Sequence, residues 1–278
     1  MEAFISIVVI VIIIIIVNSV HKKQVEQKKE KAIVFRKSAL ENEKKGNLDQ
    51  AIIDYTQSIE LAPESYRENY MERGDLYRRN EKFDLAIADY TKYVDLERKE
   101  IKRKEYLAGA AARLGQSGYD TDTHFNVCSI AYAILLRAEM YEKKGDKKIA
   151  KAEYKKSLDN YNDLINFGTS NAFFLACRGD VYAYMGDNVK AMSDYNEAIW
   201  KCDKIIAEDP ADDSTLRRRS NLYLKIGNKD QAIADLESIL QIKLNKADYD
   251  SLVYYTDSVE SLNKVQDEVR KELETLKQ

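Results

Sequence analysis

Apolar residues recur at helical spacing along most of the chain, and from the middle onward the pattern itself repeats. Arg137, Arg178 and Arg219 lie 41 residues apart, as do Tyr141, Tyr182 and Tyr223, then Gly145, Gly186 and Gly227, then Ala150, Ala191 and Ala232. In each register one helical stripe stops at a glycine and a second begins after it. Glycine takes the positive φ that ends a helix at little cost. The repeating unit is therefore two helices joined by a tight turn. Each pair leaves an apolar face that only the next pair covers, so a fixed period predicts stacked pairs. Such arrays usually bind other proteins rather than do chemistry.

Three stretches fall outside the repeat. Residues 3–20 read AFISIVVIVIIIIIVNSV. As a helix they reach about 27 Å, close to a hydrocarbon core of about 30 Å. A cleaved signal peptide wants a basic start and a small-residue cleavage site. Only Glu2 is charged before the run, and no A-x-A-like triplet follows it. The expectation is an uncleaved transmembrane helix over 3–20, with a basic juxtamembrane segment over 21–31. Lys22, Lys23, Lys28, Lys29, Lys31, Arg36 and Lys37 outweigh Glu26 and Glu30. The positive-inside rule then makes this a single-pass membrane protein with its C-terminal domain in the cytoplasm.

Residues 101–130 interrupt the array. IKRKEYLAGAAARLGQ reads as a helix with Tyr106, Leu107, Ala110, Ala111 and Leu114 on its apolar stripe. GYDTDTHFN reads as a loop, with Thr121, Asp122 or Thr123 as a candidate cap for the next helix. The segment is a helical insert or a degenerate repeat. In 248–278, Val259, Leu262, Val265, Val269, Leu273 and Leu276 form an amphipathic stripe. It suits a helix capping the last repeat, with a short coiled coil as the alternative.

The repeats resemble the tetratricopeptide family. That motif sets a small residue on a first helix, a turn glycine, then alanine, an aromatic and a small residue on a second. The first copy shows Ala39, Gly46, Ala51, Tyr55 and Ser58, and the second shows Gly74, Tyr77, Ala86 and Tyr90. The second departs from the motif at Glu81, where the turn glycine is expected, and at Tyr93, where a small residue is. The third shows Ala138, Tyr141, Gly145, Ala150, Tyr154 and Ser157; the fourth, Gly179, Tyr182, Gly186, Ala191, Tyr195 and Ala198. The fifth has Ser220, Tyr223, Gly227 and Ala232, then Leu236 and Ile239. Copies one and two occupy 32–100, and copies three to five occupy 131–247.

The family period is about 34 residues. The seven extra residues are about two helical turns, and we place them at the end of the second helix. There Tyr161, Leu164 and Ile165 match Cys202, Ile205 and Ile206. Arg73, Arg137, Arg178 and Arg219 are each followed 16 residues later by Asp89, Glu153, Asp194 or Asp235. This spacing predicts an ion pair inside each repeat. The expected fold is all-α: a superhelical solenoid of antiparallel helix pairs, preceded by one transmembrane helix and ended by a capping helix.

Composition narrows the function. The chain has 278 residues, 33% of them charged, with net charge −3, which gives no reason to expect nucleic acid. Cys128, Cys177 and Cys202 have neither disulfide nor zinc spacing. The two histidines, His21 and His124, stand in no catalytic constellation, and no phosphate-binding loop is present. No enzyme activity, cofactor or metal is expected. By resemblance, first-helix side chains line a concave groove. They are Glu68, Met71 and Asp75 in the second copy, and Tyr132, Leu135 and Glu139 in the third. The fourth gives Phe173, Asp180 and Tyr184, and the fifth Arg217 and Asn221. Some family members clamp a chaperone tail with a Lys–Asn pair. Here Arg36 is followed by Leu40, and Arg217 and Asn221 have no further repeat behind them, so that activity is not expected. The implied function is a membrane-anchored interaction scaffold holding a peptide or helix of a protein partner. The alternative is a membrane protein that self-associates through its C-terminal helix or groove.

Overall fold

The computed structural model describes residues 2–113, 123–166, 171–243 and 252–278, without side chains for residues 2–14, 111–112 and 252–258. The described residues form eleven helices and no strand, an all-helical tetratricopeptide-like fold. They are α1 (Glu2–Lys44), α2 (Leu48–Leu61), α3 (Glu68–Arg79), α4 (Phe83–Arg113), α5 (His124–Lys143), α6 (Lys147–Leu164), α7 (Ala172–Tyr184), α8 (Asn188–Glu208), α9 (Asp213–Lys225), α10 (Lys229–Gln241) and α11 (Leu252–Lys277). Two compact units divide the chain, residues 1–153 and 154–278.

The turns form as the glycines require. Gly46, Gly145, Gly186 and Gly227 have φ between +78° and +88°. One residue on, an amide donates back to close the helix end: Asn47 N to Asn42 O at 2.8 Å, and Asp187 N to Tyr182 O at 2.9 Å. Glu81 adopts the same left-handed geometry, φ +55°, with Lys82 N donating to Tyr77 O at 2.8 Å. The turn geometry is thus kept where the glycine is lost. Several helices then start on a side-chain cap: Asn171 Oδ1 accepts from Phe174 N at 2.9 Å and Asp212 Oδ1 from Thr215 N at 3.0 Å.

In the first unit, Ala39, Ala51, Tyr55 and Leu76 form one core between the first helix pair and α3. A second core joins Ile59, Tyr70, Tyr93, Val94, Ile130 and Ile134. Tyr93 departs from the small-residue pattern because its ring fills this space. α4 runs on without a break through residues 101–113, so the stretch read as a separate helix continues the second helix of copy two. Thr123 is the N-cap residue of α5 but makes no side-chain cap bond, and Thr121 and Asp122 lie outside the described residues.

In the second unit, Leu175, Tyr195, Ile199, Cys202 and Leu222 pack between the fourth and fifth pairs. α8 is 21 residues long and α10 only 13. Cys202 is buried on the extra turns of α8, whereas Ile205 is exposed. α11 packs Val269 and Leu273 against Leu216, Leu236 and Ile239. Gln266 Nε2 donates to Ile239 O at 3.0 Å and Ile242 O at 3.1 Å, satisfying carbonyls that the end of α10 leaves open.

The transmembrane reading of residues 3–20, and with it the single-pass membrane localisation with a cytoplasmic domain, is corrected. Among the described residues no helix is long and apolar enough to cross a membrane. From Lys22 onward α1 carries Lys22, Lys23, Lys28 and Lys29, and that part of the helix cannot lie in hydrocarbon. The side chains of residues 3–14, where the rest of that reading falls, lie outside the described residues.

Candidate partner-binding faces

From the second helix pair on, two layers of polar contact order each pair. The inner layer is an arginine fork. Arg73 donates to Asp89 through Nε at 2.8 Å and Nη2 at 2.7 Å. Arg178 does the same to Asp194 at 2.8 and 2.7 Å, and Arg219 to Asp235 at 3.0 and 2.6 Å. Arg137 meets Glu153 through Nε at 2.8 Å and through Nη2. A planar guanidinium suits a two-point grip on a carboxylate. The Asp194 bond holds Arg178 charged more firmly than usual, against the effect of burial. The third arm of each fork reaches the preceding second helix. Arg73 Nη1 donates to Thr56 Oγ1 at 2.9 Å, Arg137 to Thr91 Oγ1 at 3.0 Å, Arg178 to Asn162 Oδ1 at 3.1 Å and Arg219 to Asp203 Oδ1 at 2.6 Å. One side chain thus ties a pair internally and ties it to its predecessor. Three of these arginines also lie over the ring of the tyrosine four residues on: Tyr77 at 5.7 Å, Tyr182 at 6.0 Å and Tyr223 at 5.9 Å.

The outer layer is the first-helix face. In the first unit Asp75 accepts from Tyr90 Oη at 2.7 Å and from Arg78 Nε at 3.2 Å. Arg78 also stands 3.9 Å from Glu139, itself 3.2 Å from Lys143. Asp75 and Glu139 are therefore brought together across α3 and α5. Glu68 is exposed and Met71 half-buried against the core. Tyr132 is 43% exposed, but Leu135 is 2% and Glu139 8% exposed, so Leu135 belongs to the core rather than to a presented surface. Phe125 is a further exposed ring, one heptad before Tyr132 on the same face of α5. The i, i+7 spacing in the sequence carried that signal.

In the second unit Phe173 and Tyr184 are exposed. The Arg218 guanidinium lies 5.7 Å from the Phe173 ring, and Tyr184 stacks on Tyr154 at 6.1 Å. Asp180 accepts from Tyr195 Oη at 2.8 Å and pairs with Lys225. Asn221 is exposed. Arg217 is engaged by α11: it donates to Val265 O at 3.4 Å and lies 3.8 Å from Glu268 and 4.0 Å from Glu272.

Tyr90 and Tyr195 reach their aspartates by crossing a glycine. A Cβ on Gly74 would stand 2.8 Å from Tyr90 Cε1, and one on Gly179 2.5 Å from Tyr195 Cε1. Glycine, the next-residue aspartate and a tyrosine 15 residues after it act as one unit, a sequence signal that went unused.

Against known proteins, the tetratricopeptide repeat model matches residues 37–65, 68–100 and 218–246. The chain carries tetratricopeptide repeats, and the third and fourth copies are left unmatched. The assembly chaperone of RpL4, Acl4, is structurally similar with a TM-score of 0.51 at 11% identity, over 89% of this chain and 84% of that one. TTC0263, a thermophilic TPR protein of Thermus thermophilus, gives 0.42 at 16% identity over 78% and 94%. YrrB, described as a TPR protein with an unusual peptide-binding site, gives 0.36 at 15% over 81% and 93%. No curated protein matches the sequence. Folds of this class generally serve as protein-interaction scaffolds rather than enzymes.

Proposed function

We propose that the chain is a protein–protein interaction scaffold whose first-helix faces hold a peptide or a helix of a partner. The observation that carries this reading is the division between the layers. The arginine forks tie helix pairs together, while Tyr132, Phe173 and Tyr184 are exposed on first helices, and the tethered Asp75 on α3 and Asp180 on α7 are partly exposed. Rigid exposed aromatics with fixed polar groups beside them suit peptide capture. Self-association is the second reading. The α11 stripe packs on α10 of its own chain, so that reading rests on the first-helix faces instead.

The test is a cross-linked pull-down with the full chain and with a Tyr132→Ala, Phe173→Ala, Tyr184→Ala variant. Loss of a specific partner from a variant with normal helicity supports the scaffold. Retention of that partner moves the binding surface to α4 or α11. Recovery of the chain alone favours self-association.

A further inference from the structure

Between α1 and α3, on the first-helix face of the first unit, lies a polar cluster that does not satisfy itself. Glu68, Glu72 and Asp75 stand at i, i+4, i+7 along α3. Glu43 faces them from α1 and pairs with Arg79 at 2.8 Å. Asp75 is held by Arg78 and by Tyr90. Glu72 is half-buried, and among the described residues no hydrogen bond or ion pair engages its carboxylate. Burial first, then the charges of Glu43 and Asp75, lift its carboxyl above the ordinary carboxylate value, and Arg36 offsets only part of this.

Two further groups converge there. Among the described residues Arg36 makes no ion pair, and its Nε is buried without a partner. Tyr55 is wholly buried, and its hydroxyl turns toward Glu43 without reaching normal hydrogen-bond geometry. Four acids, Glu43, Glu68, Glu72 and Asp75, meet three cations, Arg36, Arg78 and Arg79, and two of those cations are already engaged. A half-buried carboxylate is costly to keep without a counter-charge.

We propose that Glu72 anchors a subsite for a lysine or arginine side chain of the partner segment. The proposal rests on the scaffold reading and narrows it: the segment is basic where it crosses α1 and α3. An acidic side chain would meet Glu43, Glu68 and Glu72 together, and an apolar one would leave Glu72 bare.

The test is anisotropy of fluorescein-labelled tetralysine and tetraglutamate peptides titrated with the full chain at low salt. Tetralysine is expected to bind more tightly than tetraglutamate. Glu72→Gln is expected to weaken tetralysine about fivefold, the size of one partly desolvated charge pair. Asp95→Asn removes the same charge from the exposed side of α4 and should leave the affinity unchanged. Glu72→Gln should melt no lower than the parent, so a folding defect cannot imitate the loss. Equal loss in both variants, no loss in Glu72→Gln, no binding of either peptide, or preference for tetraglutamate would each overturn the subsite. The aromatic triple variant is read separately. If it loses its partner while the Glu72 arm is flat, the subsite fails and the scaffold stands.

Discussion

The first and fourth helix pairs solve one problem with different parts. In the fourth, Asp194 is gripped by Arg178, which also reaches back to Asn162. In the first, the equivalent Asp54 accepts from Ser38 at 2.6 Å, Asn42 at 2.9 Å and Gln50 at 2.8 Å, with no arginine among the described residues. Both pairs keep the buried carboxylate. Only the pair with a predecessor has the arginine, and its third arm lands on that predecessor. The carboxylate therefore organises a pair, and the arginine joins pairs.

Breaking the two carboxylates separately sharpens this contrast most. Asp194→Ala leaves Arg178 partly buried and unpaired and should cost about 3 kcal/mol. Asp54→Ala strands only neutral partners and should cost about 1 kcal/mol. Urea melts of the two variants check this, and equal losses would dissolve the distinction. Gly179→Ala comes next. The added methyl collides with the Tyr195 ring, and even after the gain in helix propensity the loss should be about 1–2 kcal/mol.

The tyrosines extend the comparison. Tyr195→Phe forfeits the bond to Asp180 and should cost about 1 kcal/mol. Tyr55→Phe removes a buried hydroxyl that has no acceptor of normal geometry, so its melting temperature should hold or rise. Glu81→Gly relieves a left-handed residue and should stabilise the second pair by about 1 kcal/mol, read by thermal melting.

The smallest effect is a pH dependence. Glu72 has a raised folded pKa, so its stabilising contribution is full below the ordinary value of 4.5 and is lost as pH rises through the folded value. At neutral pH the ionised group is a cost. Glu72→Gln should therefore gain stability relative to the parent at pH 7 and lose that advantage at pH 4.

The helix pairs, their glycine turns and the 16-residue arginine–acid pairing were legible in the sequence because each follows from local spacing. The third arm of the fork was not, since Thr56, Thr91, Asn162 and Asp203 share no residue type. Glu81 hid a turn that the backbone kept. The groove candidates all fall on α3, α5, α7 and α9, but periodicity alone could not tell Tyr132, which is exposed, from Leu135, which is buried. Nor could it foresee that Arg217 is taken by Glu268 and Glu272 of α11, a contact between residues far apart in the chain. The apolar run before Lys22 misled for a related reason. Residue composition was read as a membrane span, and among the described residues no helix is long and apolar enough to be one.

The most direct measurement of the scaffold reading is photo-crosslinking from a benzophenone side chain at Phe173, on the first-helix face, and at Val189, on the second helix. Both positions are exposed. The account predicts that a partner is captured from 173 and not from 189. Capture from 189 alone would contradict it and move the binding surface to the second helices.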